Sequence, residues 1–247
     1  MTLVYPADDF EAFLTAVLET WVNHAPEWTI VAETNDWFGP EGPWRPVKAD
    51  SQAARRIADG VTRCAGPQAW FTVGAAFRHS DSGKETLLAG FIRLCVRHGR
   101  QTVQRLVDPG VRETLRRARA VQAEAHRFLG LVRFQAVEGG WYGCFEPDHD
   151  VLGMLVGSFH QRMLGTDWML HDPSRETAWV CRSGKGEAVF GVRMTGKGAT
   201  AGESQVQELW KQYFKTIALP TRINPTLQRS KIPLKTWKNL IEEPGRF

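Results

Sequence analysis

The chain changes character near residue 130, from helical spacing to a mixture of strands and helices, and that change limits the folds open to it. From Ser51 to about Phe128, apolar residues recur at helical spacing, broken at Gly66-Pro67, Asp81-Ser82-Gly83 and Asp108-Pro109-Gly110. The spacing predicts helices over Ser51–Ala65, Pro67–His79 and Lys84–Arg97, with a longer one ending near Phe128. Then Val132–Val137, the Glu138-Gly139-Gly140 turn and Trp141–Phe145 read as a β-hairpin. A helix over Val151–Leu164 and strands at Asp167–His171 and Thr177–Val180 complete a ββαββ order, and a further strand is open at Ala188–Arg193. Upstream, Leu3–Tyr5 reads as a short strand, Asp8 or Asp9 caps a helix on Phe10, Phe13, Leu14, Val17, Leu18 and Trp21, and His24–Lys48 is loop with short strands at most. A helix over Ser204–Ile217 and a short one around Leu234–Leu240 close the chain. The expected class is α+β: a helical first half packed on a ββαββ antiparallel-sheet second half with a basic helical C-terminal tail. The regions are 1–130 and 131–247, packed as one unit, without repeats or low-complexity tracts.

Between hairpin and helix lies Phe145-Glu146-Pro147-Asp148-His149-Asp150, three carboxylates and an imidazole in one turn. Pro147 suits a helix start, and Asp148 or Asp150 could cap it. Capping needs one carboxylate, not three with a histidine among them. A strand-to-helix turn also projects side chains from a rigid scaffold, as catalytic groups require. Glu124-x-His126-Arg127 ends the preceding helix, where the dipole alone explains the basic pair or where both reach the same pocket as the turn.

The net charge of +4 is modest but unevenly spread. Eight carboxylates, from Asp8 to Glu41, precede the first Lys or Arg. The window Leu209–Leu240 holds no acid, and places Lys211, Lys215, Arg222, Arg229, Lys231, Lys235 and Lys238 among Trp210, Tyr213, Phe214 and Trp237. Cations serve phosphates and flat rings serve bases, so the window fits a nucleic-acid surface as well as a solvated helical face. Cys64, Cys95, Cys144 and Cys181 form no Cys-x-x-Cys pair, which argues against a zinc ribbon or a compact iron–sulfur run and for reduced thiols in the cytoplasm. No apolar run reaches membrane-spanning length and the start does not read as a signal peptide, so no membrane is expected.

Gly191–Gly198 nearly fits a phosphate-cradling P-loop, but Gly198 stands where Ser or Thr must hold magnesium. No His-x-x-x-His pair accompanies the acidic turn, so no metal and no cofactor is expected. Several of the ten tryptophans lie off helical stripes, where they serve the core or line a slot for a flipped base.

The chain resembles the "probable DNA metabolism protein" family, whose domain of unknown function occurs fused to uracil-DNA-glycosylase-superfamily domains or encoded beside a radical-SAM protein. The resemblance rests on Asp8-x-Phe10-Glu11-x-Phe13-Leu14-Thr15-Ala16-Val17, His98-Gly99-Arg100, Glu124-Ala125-His126-Arg127-x-x-Gly130-x-x-Arg133-Phe134, Phe145–Asp150, Trp168, and Asn224-Pro225 with Pro233-x-x-x-Trp237-Lys238-Asn239-Leu240. It implies work on DNA, on damaged or modified bases, with a uracil-DNA-glycosylase-like or radical-SAM protein as partner. The water-activating and late-histidine motifs of uracil glycosylases are absent from the sequence.

The leading expectation is a monofunctional DNA glycosylase, acting in repair or in defence against modified foreign DNA. Asp148 or Asp150, with Glu146 beside them, would stabilise an oxocarbenium-like sugar and activate water, and His149 or His126 would assist the departing base. Arg127, Arg133, Arg222, Arg229, Lys231, Lys235 and Lys238 would hold phosphate, and Trp237 would stack. The competing expectation is a non-catalytic DNA-binding module that brings a partner enzyme to its site, and a metal-dependent nuclease is a third. The carboxylates favour catalysis only if they face the basic cleft.

Overall fold

A computed structural model describes residues 1–25, 27–33, 39–193, 201–217 and 224–241, without the side chains of Ala201, Phe214, Lys215, Ile217, Pro225, Gln228 and Lys238. The described chain divides into two units, Met1–Gln122 and Ala123–Phe247.

In the first unit, β1 (Thr2–Pro6), α1 (Phe10–Val22), β2 (Thr29–Glu33) and β3 (Trp44–Pro46) precede α2 (Ser51–Ala65), α3 (Pro67–Phe77), α4 (Lys84–His98), a 3-10 turn (Gly99–Gln104) and the start of α5 (Pro109–Leu131). The three strands pair in the order β2-β1-β3, all parallel, so the Pro/Gly/Trp-rich stretch contributes two sheet strands. Asp9 caps α1 through the Ala12 N–H, and Asp50 caps α2 through those of Gln52 and Ala53. The core gathers Phe13, Phe91, Ile57 and Leu88, and the Tyr5 hydroxyl donates to the buried Glu85 at 3.0 Å.

The second unit takes the last turns of α5, then β4 (Phe134–Val137), β5 (Gly140–Cys144), α6 (Leu152–Arg162), β6 (Trp168–Asp172), β7 (Thr177–Arg182), β8 (Lys185–Phe190), α7 (Ala201–Ile217), α8 (Pro225–Lys231) and a 3-10 turn at Leu234–Asn239. The strands run in sequence order across one sheet. That sheet is mixed rather than antiparallel, because β5 and β6 pair in parallel. The α6 crossover returns the chain in its original direction, where a tight hairpin would have reversed it. The register sets Cys144 opposite His171.

Edge-to-face rings fill the space under the sheet: Phe134 lies 5.1 Å from Phe159, and Phe128 5.1 Å from Phe145, between ring centroids. On edge strand β4, the outward Ala136 N–H donates to the buried Glu203 of α7 at 3.0 Å, which occupies a ladder position that would otherwise be open.

Gly140 has φ +150°, and a Cβ there would stand 2.5 Å from the Asp167 carbonyl oxygen. Gly140→Ala should therefore destabilise the second unit by about 2–3 kcal/mol. Gly157 lies on the exposed side of α6 with open space around it, so Gly157→Ala should instead add about 0.5–1 kcal/mol. Urea unfolding followed by tryptophan fluorescence checks both signs.

Candidate nucleic-acid interface

The acidic turn is held by its backbone. Glu124, on the last turns of α5, is 2% exposed, and its two carboxylate oxygens accept the N–H groups of Asp148 at 2.9 Å and His149 at 2.8 Å. Arg175, from the β6–β7 turn, donates to the carbonyls of Pro147 at 3.3 Å and Asp148 at 2.6 Å. The same guanidinium donates to Asp172 at 2.9 Å. Asp172 is fully buried, and that burial raises its carboxyl pKa against the pull of Arg175. One acid takes the turn's donors and one base takes its acceptors.

Neither Asp148 nor Asp150 caps α6, a correction to the sequence expectation. The helix begins at Leu152, its cap position is Val151, and no side chain bonds the first turn. The cluster ends before the free helical N–H groups, so its side chains are released for other contacts. Asp148 uses that freedom to pair with Lys235 at 2.5 Å. The Lys235 hydrogen bond holds the Asp148 carboxyl below its usual range, with smaller help from His149 and Arg127. Glu146, His149 and Asp150 are partly buried, while His126 and Arg127 are exposed on α5.

A cavity of about 390 Å³ opens elsewhere in the unit. Strands β4 and β5 supply Phe134, Gln135, Tyr142 and Cys144 to its wall, preceded by Arg133. Helix α7 adds Gln207 and Lys211, and the C-terminal 3-10 turn adds Trp237 and Asn239. Arg133 is braced by donating to the Gly130 carbonyl at 2.7 Å, and Trp237 by donating its Nε1–H to the Ile232 carbonyl at 3.1 Å. Asn239 Nδ2 is buried with no hydrogen-bond partner among the described residues. The Tyr142 hydroxyl lies 2.8 Å from His171 Nδ1, and His171 Nε2 lies 3.1 Å from the Val192 carbonyl. Burial, then the neighbouring Cys144 thiol, raises the Tyr142 pKa. Arg133 and Lys211 are among the lining residues, and no carboxylate is among those described. A recess of about 660 Å³ shares Arg133, Phe134 and Gln207 and adds Trp141, Trp210 and the buried carboxylate Glu203.

Of the residues expected to bind DNA, the cavity gathers Arg133 and Trp237. Lys235 is paired with the turn, Arg229 and Lys231 are exposed on α8, Arg222 lies outside the described residues, and so does the Lys238 side chain. Of the residues expected to be catalytic, none of Glu146, Asp148, His149, Asp150 and His126 lines the cavity. Of the nearly P-loop-like segment Gly191–Gly198, residues 194–198 lie outside the described part. Among the described residues, no group of three or more His, Cys, Asp or Glu is placed to hold a metal ion. No helix is long and apolar enough to cross a membrane, among the described residues. The sequence alone marks neither Glu124 as an anchor nor Tyr142, Cys144 and His171 as a group. Alternation along β5 places Tyr142 and Cys144 on one face, but only the parallel pairing brings His171 beside them.

These features define a class: an α+β protein whose mixed sheet carries a small basic, aromatic cavity suited to a planar anionic ligand. The chain belongs to the family described as a domain of unknown function, DUF4130, which matches residues 82–242. The Asp8–Val17 segment precedes that match. No curated protein and no solved structure matches the chain.

Glu124→Ala should cost about 2–4 kcal/mol by leaving two backbone donors without their charged acceptor, and Glu124→Gln, which keeps one acceptor, about half of that. The Asp148–Lys235 pair has an acid-side signature. Its carboxyl pKa is lowered in the folded chain, so its contribution is present above the ordinary carboxylate range and is lost as pH falls through the lowered value. The stability difference between Asp148→Asn and the unaltered chain should therefore shrink towards zero in acid, and it should be small throughout because Asp148 is largely exposed.

Proposed function

We propose that the chain binds DNA and draws one nucleotide out of its stack into the cavity of the second unit. The observation that carries this is the lining: Arg133 and Lys211 for phosphate, Trp237, Tyr142 and Phe134 for a base face, amide side chains for base edges, and no carboxylate among the described residues. The volume lies within the roughly 300–1,000 Å³ range of small-ligand sites. Trp141 and Trp210 in the adjoining recess offer faces for a neighbouring base. The family resemblance supplies DNA as the polymer, and a uracil-DNA-glycosylase-like or radical-SAM enzyme as the partner brought to the site.

Base removal through Asp148 or Asp150 has less support. A carboxylate must stand beside C1′ to stabilise an oxocarbenium-like sugar, and the cavity's described wall has none. The Asp148 carboxylate instead pairs with Lys235, two residues before the Trp237 of the wall.

Fluorescence anisotropy with single-stranded oligonucleotides over a salt series is the test. Affinity should fall with salt at a slope of about −0.7 per phosphate contacted, and Arg133→Ala or Lys211→Ala should each flatten that slope by about one contact. Trp237→Ala should weaken binding by about 1–3 kcal/mol with the slope kept. Lack of binding at low salt would remove the nucleic-acid function. A parallel screen for base release uses DNA with uracil, deaminated, alkylated, hydroxymethylated or glucosylated bases. Release that is lost in Asp150→Ala would reinstate the glycosylase.

A further inference from the structure

Helix α7 carries two faces that differ in what meets them. On one, Glu203 accepts from the Ala136 N–H of β4, while Gln207 and Lys211 line the smaller cavity. On the other, Val206, Leu209, Trp210 and Tyr213 recur at i, i+3, i+4 and i+7 and form one stripe. These four side chains are between 41% and 64% exposed. On α4 the same spacing is occupied by Leu88, Phe91, Ile92 and Cys95, and all four are buried. A stripe of this kind is built to be covered.

We propose that the stripe pairs with the α7 of a second copy of the chain, antiparallel and about a two-fold axis between Leu209 and Trp210. The stripe is symmetric about that point in spacing and asymmetric in size. An antiparallel copy therefore sets Val206 against the partner's Tyr213 and Leu209 against the partner's Trp210, a smaller aliphatic group against a ring in every pair. The isologous contact is self-complementary, as a closed dimer requires. The Trp210 and Tyr213 rings already stand 5.7 Å apart between centroids, so the partner's Val206 and Leu209 meet a formed aromatic pair.

Charge selects the same occupant. The border of the stripe away from the sheet holds Gln205, Gln212 and Thr216, all exposed and uncharged. A phosphate backbone or a charged peptide finds no counter-charge along that border, whereas a second copy brings the same uncharged border and meets no like charge there. Val206 and Trp210 also line the larger recess. The partner's Tyr213, set against Val206, adds a ring at its mouth to those of Phe134, Trp141 and Trp210. With four side chains from each copy the contact is small, below the roughly 1,200 Å² of stable complexes, so the dimer exchanges with monomer as concentration changes. The pairing does not depend on DNA binding.

Sedimentation velocity of the full chain over a rising concentration series, without DNA, tests the association. The mass should move from that of one chain towards that of two. Leu209→Glu and Tyr213→Glu, both at exposed positions, should each hold it at one chain throughout, with the melting temperature of a dilute sample unchanged. A chain that stays monomeric at the highest concentration, or variants that dimerise like the unaltered chain, would overturn the pairing. The direction is read from Val206→Cys and Tyr213→Cys variants, oxidised separately and as an equal mixture. Peptide mapping of the mixture should give a disulfide joining position 206 of one copy to position 213 of the other, and neither variant alone should link through its new thiol. Absence of that link from the mixture, or equal linkage in a single variant, would overturn the antiparallel register.

Discussion

The second unit depends on one buried carboxylate. Glu124 takes the N–H groups of two successive residues in the acidic turn, a charged acceptor bridging donors that otherwise need water. With Arg175 on the opposite side, the backbone of Pro147–His149 is fixed from both its donors and its acceptors. A fixed turn presents Asp148 at a defined place, and Asp148 then holds Lys235. Two residues beyond Lys235, Trp237 enters the cavity wall. A core acid, a surface ion pair and the Trp237 indole of the cavity wall, itself held by the Ile232 carbonyl, follow one another along this path.

This ordering gives the acidic turn a different meaning from the one its composition suggests. Three carboxylates next to a DNA-binding surface would oppose phosphate. Here the charge is spent locally, on Lys235 and near Arg127. The described lining of the smaller cavity includes Arg133 and Lys211 and no carboxylate, while Glu203 of α7 is engaged by the Ala136 N–H of β4 beside it. Separation of the two charge classes within one unit allows the acidic turn and a cavity lined by Arg133 and Lys211 to coexist.

Much of the fold was legible because helical period and turn residues are local signals. The boundaries of α2 and the start of α4 follow from Gly66-Pro67 and Asp81-Ser82-Gly83, and the β4–β5 hairpin from Gly139-Gly140. The parallel β5–β6 pairing was not legible, because strand direction depends on which neighbour a strand finds after α6. The three-stranded parallel sheet of the first unit was hidden for the same reason, in a stretch dominated by loop-forming residues. The site divides along the same line. Arg133 and Trp237 were visible as a cation and a ring in basic, aromatic sequence. Glu124 reads like any helical glutamate until its burial is known, and His171 joins Cys144 only through cross-strand register.

The central claim is that the base enters the space between β4, β5 and the C-terminal turn, while the acidic turn stays outside it. Photocrosslinking with single-stranded DNA carrying one 4-thiothymidine, followed by peptide mapping, tests this directly. The account predicts crosslinks to Trp237, Tyr142 or Phe134, diminished by excess unmodified oligonucleotide. Crosslinks at Glu146–Asp150 with the cavity residues unmarked would contradict it.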